Sequence, residues 1–103
     1  VAGGIRVLLE QRGVTADDIA SVELAGGFGN YLSPESAVRI GMLPRACLSK
    51  IRPLGNAALA GASMLALDGE NWRKLAEIPE KCRYLELSGR DDFSRAFTDS
   101  LTF

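Results

Sequence analysis

Histidine is missing from this 103-residue chain, and cysteine occurs only twice, as Cys47 and Cys82. Without histidine there is no side chain that titrates near neutral pH unaided, and no Ser/His or Cys/His nucleophile pair can form. This argues against hydrolytic chemistry by the chain alone. Two cysteines far apart in sequence also exclude a self-contained zinc or iron–sulfur motif. They read as two buried or half-buried free thiols, with a disulfide as the alternative. Charge of one sign never accumulates: the formal net charge is −1, spread over interspersed acids and bases. A phosphate backbone needs a basic stripe, so nucleic acid is not an expected partner. Long hydrophobic runs are absent too. The longest apolar stretch, Ala57 to Leu67, is about half the ~20 residues needed to cross a bilayer, and no charged leader with a cleavage site precedes it. The expectation is a cytoplasmic protein with no membrane partner.

Nearly half of the residues are hydrophobic and about a quarter are charged, the profile of a globular domain. The length suits one domain with a modest core. The chain enters helical pattern directly at Val1, which we read as a segment of a longer polypeptide. Ala2 to Arg12 carries Ile5, Leu8 and Leu9 on one face, with Gly13 as C-cap. Thr15 caps a short turn over Ala16-Asp17-Asp18, and Ile19 to Ala25 reads as a strand. Ser33 and Pro34 open a helix that ends by Gly41. A short extended segment, Leu48 to Leu54, contains Pro53 and so cannot be a central strand. Gly55-Asn56 caps the helix Ala57 to Leu67, whose apolarity on all sides predicts burial on all sides. Glu70 to Ile78 is amphipathic, with Trp72, Leu75, Ala76 and Ile78 expected inward and Pro79 as its stop. Arg83 to Leu87 alternates with a period of two, as an edge strand does. Asp91 to Thr102 places Phe93, Phe97 and Leu101 on a stripe expected to dock on the body of the domain. There is no internal repeat or low-complexity tract. The alternation predicts an α/β fold, a mixed sheet with helices on its faces.

The segment Ser21-Val22-Glu23-Leu24-Ala25-Gly26-Gly27-Phe28-Gly29-Asn30-Tyr31 runs an apolar strand into three glycines within four positions. Glycine lets the main chain approach a flat or phosphorylated group, because no Cβ intervenes and positive φ costs nothing. In α/β sheets, ligands sit outside the carboxyl ends of the strands. Gly26, Gly27, Phe28, Gly29 and Asn30 are therefore the candidate binding residues. The competing reading is a tight strand-to-helix turn, in which Asn30 serves only as a polar turn residue. No residue is a catalytic or metal-binding candidate.

Three segments carry a resemblance: Leu24 to Tyr31 with Pro34-Glu35-Ser36-Ala37 and Ile40 to Pro44; Gly55 to Ala62; and Tyr84 to Leu87 with Phe93, Phe97, Leu101 and Phe103. Together they resemble the C-terminal part of the reductive activators of corrinoid proteins. These are ATP-dependent, ferredoxin-like iron–sulfur proteins whose ATPase domain is similar to actin, sugar kinases and heat-shock chaperones. The resemblance implies a fragment of an actin-like ATPase lobe, with residues 1–103 as its C-terminal, adenosine-side portion. Leu24 to Gly27 would match the adenosine motif, and Phe28 or Asn30 would fix the base. It further implies ATP and Mg²⁺ for the intact protein, a [2Fe–2S] cluster upstream of this chain, and a corrinoid protein as partner beside the protein's own N-terminal domains. The acidic phosphate loops, the catalytic carboxylate and the cysteine cluster of that family have no counterpart here. The chain alone is thus expected to hold no cofactor. Two alternatives stand beside this reading: another actin-like kinase or ATPase, and a non-enzymatic α/β interaction module.

Overall fold

The computed structural model describes residues 1–27 and 31–102. The chain opens with α1 (Ala2–Arg12), closed by Gly13 at φ 67°, the left-handed C-cap that glycine adopts without strain. A 3₁₀ turn, Ala16–Asp18, follows in a capping box, with Thr15 N–H and Oγ1 both donating to the Asp18 carboxylate. Those two bonds hold the Asp18 carboxyl below its usual range. Strand β1 (Val22–Ala25) is shorter than its hydrophobic pattern suggests. Helix α2 (Pro34–Arg39) has Ser33 as N-cap, its Oγ accepting from Ser36 N, and Pro34 inside the first turn. A 3₁₀ segment, Arg45–Lys50, then leads into β2 (Ile51–Gly55).

The two strands pair in parallel, with Val22 opposite Ile51, Glu23 opposite Arg52, Leu24 opposite Pro53 and Ala25 opposite Gly55. An irregularity between Leu24 and Ala25 leaves Leu54 out of register. Pro53, having no N–H, removes a rung from the ladder. The expected extended segment at Leu48 to Leu54 is therefore corrected: Leu48 to Lys50 belong to the 3₁₀ turn, which Cys47 and Lys50 tie to the first 3₁₀ turn by donating to Ala16 and Asp17 carbonyls.

Beyond the sheet, α3 (Ala57–Leu67) and α4 (Glu70–Lys81) form a helical pair, and α5 (Asp91–Asp99) returns to lie on α1. At the α1–α5 crossing, a Cβ on Gly3 would stand 3.1–3.3 Å from backbone atoms of Ala96 and Phe97. Ala96 is buried there, and Arg6 bridges to Asp99 at 3.1 Å. The rest of the core is small: Val7, Ala37, Leu43 and Cys47.

Five expectations are overturned. Arg83 to Leu87 is not a strand, because no ladder partner faces it among the described residues. Helix α4 passes through Pro79 to Lys81: the proline ring removes one N–H from the last turn without ending it, and Cys82 N–H donates to the Pro79 carbonyl. Its face is not turned inward: Trp72, Leu75 and Ile78 are exposed. No residue of α3 is buried, although the helix is apolar all round. Helix α5 ends at Asp99, where Ser100 Oγ donates to the Ala96 carbonyl, and only Phe93 of the aromatic stripe is half-buried. Phe97 and Leu101 are exposed, with the Phe93 and Phe97 rings 6.2 Å apart. The chain is nonetheless mixed α/β, as the alternation predicts, with its sheet formed by two parallel strands.

Candidate functional site

Parallel pairing brings the carboxyl ends of β1 and β2 to one rim, where Ala25 faces Gly55. Just past the ladder, Gly26 N–H donates to the Gly55 carbonyl at 2.7 Å. Both glycines have positive φ, 95° at Gly26 and 68° at Gly55. A side chain at either would be strained by roughly 1–2 kcal/mol. Gly27 is different. Its φ lies outside the left-handed range, and a Cβ there would meet nothing within 4 Å among the described residues. Among the described residues, neither conformation nor packing demands glycine at position 27. Cβ atoms at Gly26 and Gly55 would likewise point into open space, so the rim presents bare backbone outward.

Helix α3 starts at this rim. Asn56 is its N-cap, with Oδ1 accepting from Leu59 N–H at 3.0 Å. The N–H groups of Ala57 and Ala58, in the first turn, have no partner among the described residues. Their dipoles add positive potential beside Gly55. The arrangement can receive a polar, flat or anionic group against main-chain atoms; it offers no acid, base or nucleophile. The resolved charge perturbations sit in local pairs elsewhere, as where Arg90 lowers the Asp92 carboxyl, and where Tyr84 O–H and Ser88 N–H lower that of Glu86. Cavities of about 290 Å³ against α1 and 480 Å³ beside Arg12 and Arg83 do not include the rim. It is an open surface, one wall of a site.

Of the residues proposed from sequence, Gly26 and Gly27 lie at this rim, while Phe28, Gly29 and Asn30 fall outside the described residues. Gly55 was not foreseen as part of the site. Its signal was present, a Gly-Asn pair directly after an extended segment, but only its capping role is readable without knowing that β2 lies beside β1.

For an iron–sulfur cluster the residues do not fit. Cys47 is buried with its thiol on the Ala16 carbonyl, as expected, but Cys82 is exposed at the C-cap of α4, which corrects the expectation that both thiols are buried or half-buried. Among the described residues no three His, Cys, Asp or Glu side chains gather. Among those same residues no helix is long and apolar enough to cross a membrane.

A glycine rim on a parallel pair, followed by an apolar helix, occurs on several α/β folds, and comparison with known proteins separates them. A family model described as the C-terminal domain of RACo, the ASKHA domain, matches residues 1–103. The chain belongs to this family. The RACo-type segment is 30% identical over 100 residues to the corrinoid activation enzyme RamQ of Eubacterium limosum, covering 97% of this chain and 17% of that protein. A solved structure, a reductive activator for corrinoid, iron-sulfur protein, superposes with a TM-score of 0.85 at 35% identity, covering 95% of this chain and 16% of that one. The RACo-type chain thus has the actin-like ASKHA fold and spans about a sixth of the length of these relatives.

Proposed function

We propose that residues 1–103 form the adenosine-side portion of the ATPase domain of a reductive activator, which uses ATP to drive reduction of an inactive Co(II) corrinoid protein to Co(I). The observation that carries this reading is Gly27, a glycine that nothing within the described chain requires, beside two left-handed glycines at the carboxyl ends of parallel strands. Backbone at Gly26, Gly27 and Gly55 would lie against adenine and ribose, and Phe28, Gly29 and Asn30, which follow in sequence, are assigned to the same nucleotide by the family resemblance. The phosphate and Mg²⁺ ligands would come from the facing part of the polypeptide, since this segment contributes none. The electron would come from an iron–sulfur cluster held outside this chain. ATP can do work in this scheme only by binding two arrangements of the activator unequally, because equal binding shifts no equilibrium. Support comes from the relatives: both carry corrinoid activation in their names.

The test is functional replacement. With this chain grafted in place of the matching segment of the Eubacterium limosum relative, Co(II) to Co(I) conversion of a corrinoid protein is followed by absorbance. ATP-dependent conversion is the expected result. Conversion at the same rate without ATP would refute the reading.

A further inference from the structure

We infer that α3, α4 and the extended stretch 83–87 are the surface on which the remaining part of the same polypeptide docks, and that α3 becomes an enclosed helix there. The first observation is area. The chain exposes 7996 Å², whereas a folded monomer of this mass exposes about 5,600 Å². The radius of gyration, 16.1 Å, also exceeds the roughly 13 Å of a compact domain of this length. The excess surface is about three times what one partner contributes to a standard-sized protein–protein interface, roughly 800 Å². It therefore matches an internal division of a large domain better than a transient encounter.

The second observation is where the apolar surface points. Within α3 only Ala57, Gly61 and Leu65 are half-buried, and Gly61, Leu65 and the more exposed Met64 line an apolar cleft of about 330 Å³ shared with Leu75 and Ile78 of α4. At about 100° per residue the exposed remainder, which includes Leu59, Met64 and Leu67, sweeps roughly 240° of the helix circumference. A second copy of the chain would meet its mate through one self-complementary face and leave much of that arc in water. Covering it takes a groove with walls on several sides. A helix apolar all round is stable only in such a setting.

The backbone provides the third observation. Arg83 to Leu87 alternates in exposure as a strand does, with Leu85 and Leu87 half-buried and Tyr84 and Glu86 exposed. Yet its main-chain groups have no ladder partner among the described residues. Backbone donors and acceptors are obligatory hydrogen-bonding groups, and another strand is what satisfies them along an extended stretch. Relatives that are about six times as long as this chain have the polypeptide to supply both groove and strand.

Hydrogen–deuterium exchange resolved to α3 and to residues 83–87 tests this, on the chain by itself and on the chain grafted into the Eubacterium limosum relative. The expected result is slowing by on the order of 100-fold in both segments on grafting, while α1 changes little. Unchanged exchange in α3 within a graft whose α1 amides are protected would overturn the proposal. So would a discrete dimer of the chain alone in which α3 is already protected. Should the graft not fold, the same measurement on the relative's own full-length chain, at its helix aligned with 57–67, decides between protection as expected and fast exchange that overturns it. The readout requires no nucleotide, so a failure to bind ATP would refute the proposed function and leave this inference standing.

Discussion

Gly3 and Gly4 stand side by side in the first turn of α1, and replacing each by alanine is expected to move stability in opposite directions. By propensity alone either change stabilises the helix by about 1 kcal/mol, because alanine loses less backbone entropy than glycine. At Gly4 little opposes that gain: the new Cβ would meet Leu87 Cδ1 at 3.4 Å, an ordinary contact with a side-chain tip. At Gly3 the Cβ would lie 3.1 Å from Phe97 N, 3.2 Å from Phe97 Cα and 3.3 Å from the Ala96 carbonyl carbon. These are main-chain atoms of α5, so relief requires the whole helix to shift, and overpacking of this kind costs about 1–3 kcal/mol. The net for Gly3→Ala is a loss of up to about 2 kcal/mol, and Gly3→Val, with two more carbons and less helix propensity, is worse. For a domain of this size 1 kcal/mol moves Tm by about 4–8 °C. Thermal unfolding followed by circular dichroism should show Gly4→Ala melting several degrees higher than the unsubstituted chain and Gly3→Ala melting lower. If Gly3→Ala raised Tm as much as Gly4→Ala, α5 would not be seated on α1 through Gly3, and the packing described here would be wrong.

Removing the α3 cap by Asn56→Ala should cost about 1 kcal/mol, since Leu59 N–H loses its acceptor; chemical denaturation gives the value, and an unchanged midpoint would contradict the cap. Asp18, Glu86 and Asp92 have carboxyls held below their ordinary range by hydrogen bonds or an arginine partner. A depressed folded-state pKa gives stability that is full above the unfolded value, about 4, and disappears as pH falls through the lower folded value. Tm should therefore hold steady from pH 7 to 5 and drop below about pH 4, with Asp18→Asn flattening part of that drop; a Tm that rose on acidification would refute the assignment. Gly55→Ala, at φ 68°, should lose roughly 1–2 kcal/mol through backbone strain alone, as read by the same denaturation.

What could be read from the sequence was what local chemistry decides. Gly13 as a left-handed cap, Ser33-Pro34 as a helix start, Thr15 over Asp18 and Asn56 over Leu59 all depend on residues within a few positions of one another. That a strand ends at Gly26-Gly27 was legible for the same reason. Failures came where the outcome depends on a distant or absent partner. Period-two alternation at Arg83 to Leu87 makes a strand only if something pairs with it, and the apolar stretch of α3 is buried only if something covers it. Phe97 and Leu101 formed a convincing stripe, but α5 meets α1 through Ala96 and Gly3 instead. The part of Gly55 in the rim depends on β2 lying parallel to β1, a non-local fact.

If the rim at Gly26, Gly27 and Gly55 takes the adenosine end of a nucleotide, Gly27→Leu isolates that contact. Among the described residues, position 27 has room for a side chain, and its backbone does not forbid one, so the substitution should leave folding alone while filling the space a ligand needs. Titration calorimetry with ATP is run on the Eubacterium limosum relative carrying this chain as a graft, with and without Gly27→Leu. The expected result is an ATP affinity at least about tenfold weaker in the variant, equivalent to about 1.4 kcal/mol, with an unchanged Tm in the absence of nucleotide. An affinity equal to that of the unsubstituted graft would mean that the nucleotide does not lie against this rim.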